Sequence, residues 1–275
     1  MDNCKVIAIT NQKGGVGKTT TTVNLGVGLS NAGKRVLLID ADPQASLSVS
    51  LGIRNPDALE VSLSTVLGAV IEDEKLESRE GIIAHEEGID LLPANIELSG
   101  MEVSLFNVMS REHVLKSYIQ TVRENYDYIL LDCMPSLGMM TINALTAADS
   151  VLIPSQPSYL STKGLSLLLK TISRVERSVN HGLMIDGILL TMVDGRTNHA
   201  REISEALRNG LGREVHIFDT EIPLSVRAAE CGMTGKSIFS HDRNGKVAAA
   251  YGNLVKEVEA IEQKDKARHG ADWVR

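Results

Sequence analysis

Short apolar runs alternate along this chain with longer segments in which apolar residues recur at helical spacing. Several of the short runs are continuously apolar, as expected for parallel strands covered on both faces. Strands are predicted at residues 5–10, 35–40, 89–93, 126–132, 150–154, 184–193 and 215–222. Helices are predicted at residues 18–33, 111–125, 139–148, 161–179, 197–211 and 246–263. This order predicts an α/β fold, a doubly wound and mostly parallel sheet with helices on both faces.

Two parts of the chain fall outside this alternation. Residues 54–87 are polar and acidic, and they are expected to form an irregular excursion on the surface. Residues 264–275 are expected to fray, as chain ends often do. The remainder, residues 1–263, is expected to be a single domain, because α/β proteins of this length often are.

Composition narrows the class of protein. Of 275 residues, 43% are hydrophobic, yet no apolar run approaches the roughly 18–20 residues that span a bilayer. Three cysteines without a CxxC pair favour a reduced, cytoplasmic protein. The net charge of −7 argues against a surface that coats nucleic acid all round. Residues 54–102 carry 3 basic against 12 acidic side chains and residues 195–250 carry 8 against 7, so a polyanion-binding face is expected in the C-terminal half.

A glycine-rich loop lies between the first predicted strand and the first predicted helix. Its residues are Lys13, Gly14, Gly15, Val16, Gly17, Lys18, Thr19 and Thr20. Glycines in this context let backbone N–H groups turn onto phosphate oxygens, and the helix N-terminus adds partial positive charge. Lys18 is expected to reach the β- and γ-phosphates and the Thr19 hydroxyl to bind Mg²⁺. The loop therefore predicts a binding site for a nucleoside triphosphate. The alternative is a glycine-rich turn that binds no ligand.

The loop departs from the usual phosphate-loop pattern at its start. Five residues before Gly17 the pattern requires glycine, but this chain has Gln12, followed by a second lysine, Lys13. A second cation here could act on the same nucleotide or on one held by a facing subunit. Lys13 could also be a solvated surface lysine.

Aspartates follow two further predicted strands. Asp40 and Asp42 end the second strand, and Asp132 ends a later one, as a Walker-B aspartate does. The carboxyl ends of parallel strands share one edge of the sheet, so these side chains should face the phosphate loop. Asp132 suits the outer shell of the metal and Asp42 suits the attacking water. Asp40 could cap the following turn or accept hydrogen bonds that brace the loop.

Together these motifs resemble the ParA/Soj/MinD family of ATPases with a deviant Walker A loop. The resemblance rests on residues 13–20, 38–44 (LIDADPQ) and 132–137 (DCMPSL), and it continues through residues 191–198 and 222–236. The order of strands and helices agrees from residue 4 to about 260. The chain is most similar to the short Soj/ParA type, in which no DNA-binding domain precedes the first strand.

The resemblance implies a nucleotide-controlled dimer. ATP joins two protomers face to face, and the signature lysine, Lys13 here, reaches the nucleotide of the partner protomer. Lys13, Lys18 and Asp42 are then catalytic, residues 13–20 bind the nucleotide, and Thr19 and Asp132 hold or support Mg²⁺. Residues 133–137 become the switch after the Walker-B strand. The homodimer binds double-stranded DNA without sequence preference until a ParB-type partner stimulates hydrolysis.

The DNA contacts of the family correspond to Arg196 and Arg227 in this sequence. Both arginines lie in the less acidic half of the chain, which fits sequence-independent contact with phosphates. Either could instead pair with a nearby acid. One basic residue of the usual family sequence is replaced by Leu224. The protein is therefore expected to be cytoplasmic and associated with the nucleoid, without stable membrane association.

Three other functions fit parts of the sequence. A MinD-like membrane ATPase needs a basic amphipathic helix at the C-terminus, whereas the apolar stripe at Leu254, Val255, Val258 and Ile261 is interleaved with glutamates, which favours packing on the sheet. An iron–sulfur member of the superfamily needs paired cysteines, whereas the three cysteines here are far apart. A metabolic synthetase needs a substrate pocket, which no motif in the sequence marks. A regulatory module that binds nucleotide without hydrolysing it is the third alternative. Asp42 argues against it, because that carboxylate suits the attacking water.

Overall fold

A single sheet organises the molecule. The structure, a computed structural model, describes residues 4–77, 79–157, 161–194, 198–210, 212 and 214–272. Within these residues the strands are β1 (Lys5–Ile9), β2 (Val36–Ala41), β3 (Ile83–Ala84), β4 (Asp90–Leu92), β5 (Tyr128–Cys133), β6 (Ser150–Ser155), β7 (Met184–Val193) and β8 (Ile217–Pro223). Their order in the sheet is β3-β4-β2-β5-β1-β6-β7-β8, and every pair except β3 with β4 is parallel.

Helices cover both faces of this sheet. They are α1 (Lys18–Asn31), α2 (Ser46–Ser50), α3 (Leu63–Ile71), α4 (Leu98–Ser104), α5 (Val114–Val122), α6 (Met139–Ala147), α7 (Ser161–Ser178), α8 (Asn198–Gly210), α9 (Val226–Thr234), α10 (Ile238–His241) and α11 (Lys246–Asp272). Alternate residues of β1 point into two separate apolar cores: Val6 packs with α3 to α7, and Ile7 packs with α1, α2 and α9 to α11. The predicted doubly wound α/β fold is confirmed.

The prediction that residues 54–87 are irregular is wrong in part. They contain α3, whose Leu63, Val66 and Leu67 are buried in the core at helical spacing. Ser62 starts this helix with a capping box: the Ser62 side chain accepts the backbone N–H of Thr65, and Thr65 Oγ1 accepts the backbone N–H of Ser62 at 3.2 Å. The helix was not predicted because its apolar stripe is short and acidic residues surround it.

The last helix is longer than predicted. α11 continues to Asp272, past the expected end at residue 263, and Lys5 forms an ion pair with Asp265 at 3.5 Å. Leu254, Val255 and Val258 are buried against the sheet, so the apolar stripe packs internally and does not form a membrane-binding face. Within the described part of the chain, no helix combines the length and the apolar character that crossing a membrane requires.

The sheet brings three strand ends together. β5 lies between β1 and β2, and in this register Asp132 is paired with Ile9 of β1 and with Asp40 of β2. The loop from β1 to α1 therefore begins beside the carboxylates that end β2 and β5. This edge of the sheet is where open α/β sheets bind ligands.

Close packing of α1 on α11 leads to a stability prediction. A Cβ atom on Gly28 of α1 would lie 2.6 Å from Cγ2 of Val255, whereas one on Gly252 of α11 would meet nothing within 4 Å. Gly28→Leu is expected to lower the free energy of unfolding by about 1–3 kcal/mol through overpacking. Gly252→Leu makes the same chemical change in open space and should raise it by up to about 1 kcal/mol. Urea unfolding of both variants tests this, and equal effects would contradict the packing.

Candidate nucleotide-binding site

The phosphate loop is an open backbone cradle at the start of α1. Gly15 and Gly17 adopt left-handed backbone angles, with φ of +69° and +82°, that other residues adopt only with strain. A Cβ atom on Gly14 or Gly15 would meet nothing within 4 Å, so the space above the loop is open. Val16 points the other way and is buried. The loop thus presents its main chain to an anion at the helix N-terminus.

Lys18 lies inside this loop. Its side chain is buried, with 8% of the residue exposed, and its Nζ donates to the Lys13 carbonyl at 3.4 Å. Burial lowers the pKa of Lys18, while the neighbouring Asp132, Cys133 and Asp42 act in the opposite direction. A desolvated ammonium group held by the loop backbone is suited to bind an anion that enters the cradle.

Two hydroxyl groups of α1 hold the Asp132 carboxylate. Thr19 Oγ1 donates to Oδ2 at 2.7 Å, and Thr22 Oγ1 donates to Oδ1 at 3.1 Å. Burial raises the pKa of Asp132 to about 6, although the hydrogen bond from Thr19 and the charge of Lys18 lower it. The structure therefore brings Lys18, Thr19 and Asp132 together as the sequence predicts. Thr22 was not predicted, and its only signal is its position one helical turn after Thr19.

The two aspartates after β2 differ in their surroundings. Asp40 is fully buried, and its Oδ2 accepts hydrogen bonds from the backbone N–H of Ser48 at 2.8 Å and from its hydroxyl at 2.7 Å. Burial and repulsion from Asp132 raise the pKa of Asp40 to about 7. Its Oδ1 also accepts the backbone N–H of Asp42 at 3.2 Å. Asp40 therefore caps the turn that follows β2, which is one of the two roles that the sequence left open. Asp42 is half-buried and accepts the Gln44 N–H at 2.9 Å, which leaves its carboxylate partly accessible at the rim.

Polar side chains from neighbouring strand ends hold the loop in place. Asn11 links the two sides, because its Nδ2 donates to the Pro154 carbonyl at 2.7 Å and its Oδ1 accepts the Lys13 N–H at 3.0 Å. Thr191 donates to the Val16 carbonyl at 2.8 Å, and Gln156 donates to the Gly15 carbonyl at 3.2 Å. These three contacts were not predicted from the sequence. Each of Asn11, Gln156 and Thr191 bonds to a residue more than 140 positions away in the chain.

The remaining predicted residues lie around or away from this centre. Lys13 is exposed at the loop entrance, and Thr20 is half-buried in the first turn of α1. Arg227 lies in the first turn of α9, where its side chain is 63% exposed and lies 3.9 Å from Glu230. Arg196 lies outside the described residues. Arg227 is therefore accessible, but it is not part of the phosphate loop and it has an acidic neighbour.

The site's donor set fits a hard divalent cation. Across the described ranges, no three His, Cys, Asp or Glu side chains gather as a metal site. A cation here would take few protein ligands, and the Thr19 hydroxyl beside the Asp132 carboxylate offers oxygen donors of the kind that Mg²⁺ prefers. Cys133 is buried, which raises the pKa of its thiol to about 12, so it behaves as a small apolar side chain.

Comparison with known proteins agrees with this geometry. A family model described as an AAA domain matches residues 4–185. The sporulation initiation inhibitor protein Soj of Bacillus subtilis is 46% identical over 258 residues, which are 93% of this chain and 98% of that protein. The chromosome partitioning protein ParA of Caulobacter vibrioides is 39% identical and covers 96% of this chain and 97% of its own length.

A solved structure shares both the fold and much of the sequence. It is described as cobyrinic acid a,c-diamide synthase from Mycobacterium smegmatis with bound ADP and magnesium, and it is 37% identical with a TM-score of 0.75. The match covers 89% of this chain and 97% of that chain. Fold, phosphate loop and relatives agree: the chain belongs to the ParA/Soj family of partition ATPases, within the ParA/MinD superfamily of P-loop NTPases.

Proposed function

We propose that this protein is an ATP-dependent DNA-partitioning ATPase that switches between a DNA-bound dimer and a released form. The observation that carries the proposal is the assembly of Lys18, Thr19 and Asp132 beneath an open glycine loop, with Lys13 exposed at its entrance. Relatives support partition as the process, because the proteins of Caulobacter vibrioides and Myxococcus xanthus that share most of their length with this chain are described as chromosome partitioning proteins.

The chain's own residues divide the work of binding and hydrolysing ATP. Backbone N–H groups of residues 13–20 and the Lys18 ammonium bind the phosphates. Asp132 orients the Thr19 hydroxyl toward the position of Mg²⁺, which when bound neutralises charge on the β- and γ-phosphate oxygens. Asp42, at the half-buried rim and close enough to Lys18 to influence its pKa, orients the attacking water.

Lys13 supports the dimer part of the proposal. Lys13 and Lys18 belong to one loop, yet Lys18 is buried in it while Lys13 is exposed at its mouth. A side chain in this position can reach a nucleotide held by a second protomer that faces the loop. ATP would then be bound by groups of both protomers, which makes the dimer depend on the triphosphate.

DNA binding and its release complete the proposed cycle. In the dimer, Arg227 and Arg196 contact DNA phosphates. These contacts hold the ATP-bound dimer on the nucleoid. A ParB-type partner stimulates hydrolysis and so ends DNA binding. The buried apolar stripe of α11 supports the absence of stable membrane association.

A synthetase function has less support in the site. The structural relative described as a diamide synthase shares the fold. A synthetase needs a substrate pocket that opens onto the reacting phosphate. The structure has a cavity of about 700 Å³. It is lined by residues at the amino end of β7, such as Met184 and Asp186, and by Lys264 of α11. No residue of the phosphate loop lines this cavity.

Co-sedimentation with double-stranded DNA tests the proposed function. The protein is incubated with ATP, ADP or no nucleotide at two salt concentrations. Binding is expected with ATP alone and should weaken as salt rises, because phosphate contacts release counterions. Absence of DNA binding with every nucleotide, together with binding to anionic vesicles, would contradict the proposal.

Loss of the Asp42 carboxylate should separate ATP binding from hydrolysis. Asp42→Ala is expected to slow ATP hydrolysis by about 100-fold, because the attacking water loses its orienting group, and to prolong DNA binding. ATP affinity should change by less than about threefold, since Lys18 and the loop backbone remain. Phosphate release and equilibrium ATP binding measure the two effects. Asp219→Ala, the same change at an exposed position outside the site, is the control, and loss of ATP binding in Asp42→Ala would refute the role.

Charge reversal at Arg227 should weaken DNA binding and leave ATP binding intact. Arg227→Glu is expected to weaken DNA affinity by roughly tenfold or more, because one phosphate contact per protomer becomes repulsive. Arg54→Glu is the matched control, since Arg54 is also an exposed arginine but lies in the acidic part of the chain. Fluorescence anisotropy with labelled DNA measures both variants. Parallel loss of ATP and DNA binding in Arg227→Glu would show that Arg227 is structural.

A further inference from the structure

β7 is irregular at its carboxyl end, where it meets the phosphate loop. Its pairing with β8 shifts register between Leu190 and Val193, and Met192 within this stretch has a left-handed backbone with φ of +53°. This conformation is strained for a residue with a side chain such as methionine. It persists where the surrounding structure holds it, and such irregularities often adjoin functional sites. The contacts of Met192 therefore show what holds it.

Met192 and the residue before it both lie against the phosphate loop. A Cβ atom on Gly17 would lie 3.7 Å from Cε of Met192 and 3.9 Å from Cβ of Thr191. In a regular strand, two successive side chains point to opposite faces of the sheet. The irregular backbone at Met192 is therefore what allows both side chains to contact the same loop.

Hydrogen bonds join the same residues to the loop backbone. Thr191 donates to the Val16 carbonyl at 2.8 Å. Gln156 Nε2 donates to the Gly15 carbonyl at 3.2 Å and to Met192 Sδ at 2.8 Å. Two carbonyl groups of the loop are thus bound from outside, on the side away from the phosphates. A ligand that immobilises residues 15–17 also immobilises Met192.

The other side of this irregularity leads to both proposed DNA contacts. The Val193 carbonyl accepts the N–H of Leu224 at 3.1 Å. Leu224 precedes Arg227, in the first turn of α9, by three residues. Arg196 follows Met192 by four residues in the sequence. Met192 is therefore close along the chain to one proposed DNA contact, and a single backbone hydrogen bond links its neighbour to the segment that carries the other.

We propose that Met192 is a positioning residue that transmits occupancy of the phosphate loop to the proposed DNA contacts. This rests on the proposed function, because it supplies the route by which ATP controls DNA binding in that cycle. Bound phosphates immobilise residues 15–17 and, through Met192, the Val193 carbonyl, which holds Leu224 and the start of α9 in place. Without nucleotide, the strained backbone at Met192 relaxes more often and the bond to Leu224 opens.

Amide hydrogen exchange tests this transmission. It is measured in Lys13→Ala protein with and without ATP and Mg²⁺, because this variant is expected to stay monomeric and dimer contacts then cannot slow exchange. ATP should slow exchange at residues 13–20, and at residues 222–227 by at least about fivefold. Adding Met192→Gly suits the left-handed backbone and removes the side-chain contacts. The effect at residues 13–20 should remain, and that at residues 222–227 should fall below about twofold.

Ser110→Gly, also made in Lys13→Ala protein, is the matched control. Ser110 is exposed and has a left-handed backbone with φ of +52°, and it precedes α5, away from the phosphate loop. Glycine relieves the same kind of strain there, so the ATP effect at residues 222–227 should stay within about twofold. A Met192→Gly variant in which ATP slows residues 222–227 as strongly as before would overturn the inference. Loss of the ATP effect at residues 13–20 as well would overturn it too, because Met192 would then support ATP binding alone.

DNA binding separates this inference from the proposed function. With Lys13 intact, the ratio of DNA affinity with ATP to that without nucleotide should fall at least about tenfold in Met192→Gly, while the ATP-dependent dimer remains. A ratio equal to that of the wild type would overturn the inference and leave the proposed function standing. Absence of ATP-dependent DNA binding in the wild type would refute the proposed function instead, and hydrogen exchange would still measure the link from the loop to α9.

Discussion

The hydrogen bonds from Thr19 and Thr22 to Asp132 are the contact on which the site depends. A carboxylate buried this completely is costly unless donors and a counter-charge surround it, and here two hydroxyl groups of α1 and the Lys18 ammonium do so. The same contact fixes α1 against β5 and so sets the position of the phosphate loop relative to the strand ends. Folding and ligand binding therefore share one set of interactions at the centre of the sheet.

Around this centre the charges are unevenly distributed along the chain. Acidic residues concentrate between residues 54 and 102, and they reach both sides of the sheet, since Glu87 accepts the backbone N–H of Ser237 at the start of α10. The exposed Arg227 lies on α9. The loop after β5 leads from Asp132 to Gly138, which Glu102 of α4 contacts.

The sequence was sufficient for the parts of the fold that follow from local patterns. The parallel strands, the phosphate loop and the Asp132 contact were predictable because each is marked by a continuous apolar run or by fixed spacing. α3 was missed because its apolar stripe is short and lies among acidic residues. α11 extends past its predicted end, where Asp265 pairs with Lys5 from the other end of the chain, a contact that only the folded structure reveals. Asn11, Gln156 and Thr191 could not be predicted, since their roles depend on strands brought together only by the sheet. The roles of residues 13–20 in nucleotide binding, of Thr19 and Asp132 at the metal, of Lys13, Lys18 and Asp42 in catalysis, and of Arg196 and Arg227 in DNA binding all stay predictions.

The mass of the protein in solution with each nucleotide tests the proposed switch most directly. Light scattering should give the 29.7 kDa monomer without nucleotide or with ADP, and twice that mass with ATP and Mg²⁺. Lys13→Ala should still bind ATP, because Lys18 and the loop backbone remain, but should stay monomeric. A wild-type mass that is the same with ATP, with ADP and without nucleotide, or a Lys13→Ala variant that dimerises with ATP as the wild type does, would contradict a dimer controlled by Lys13 and the triphosphate.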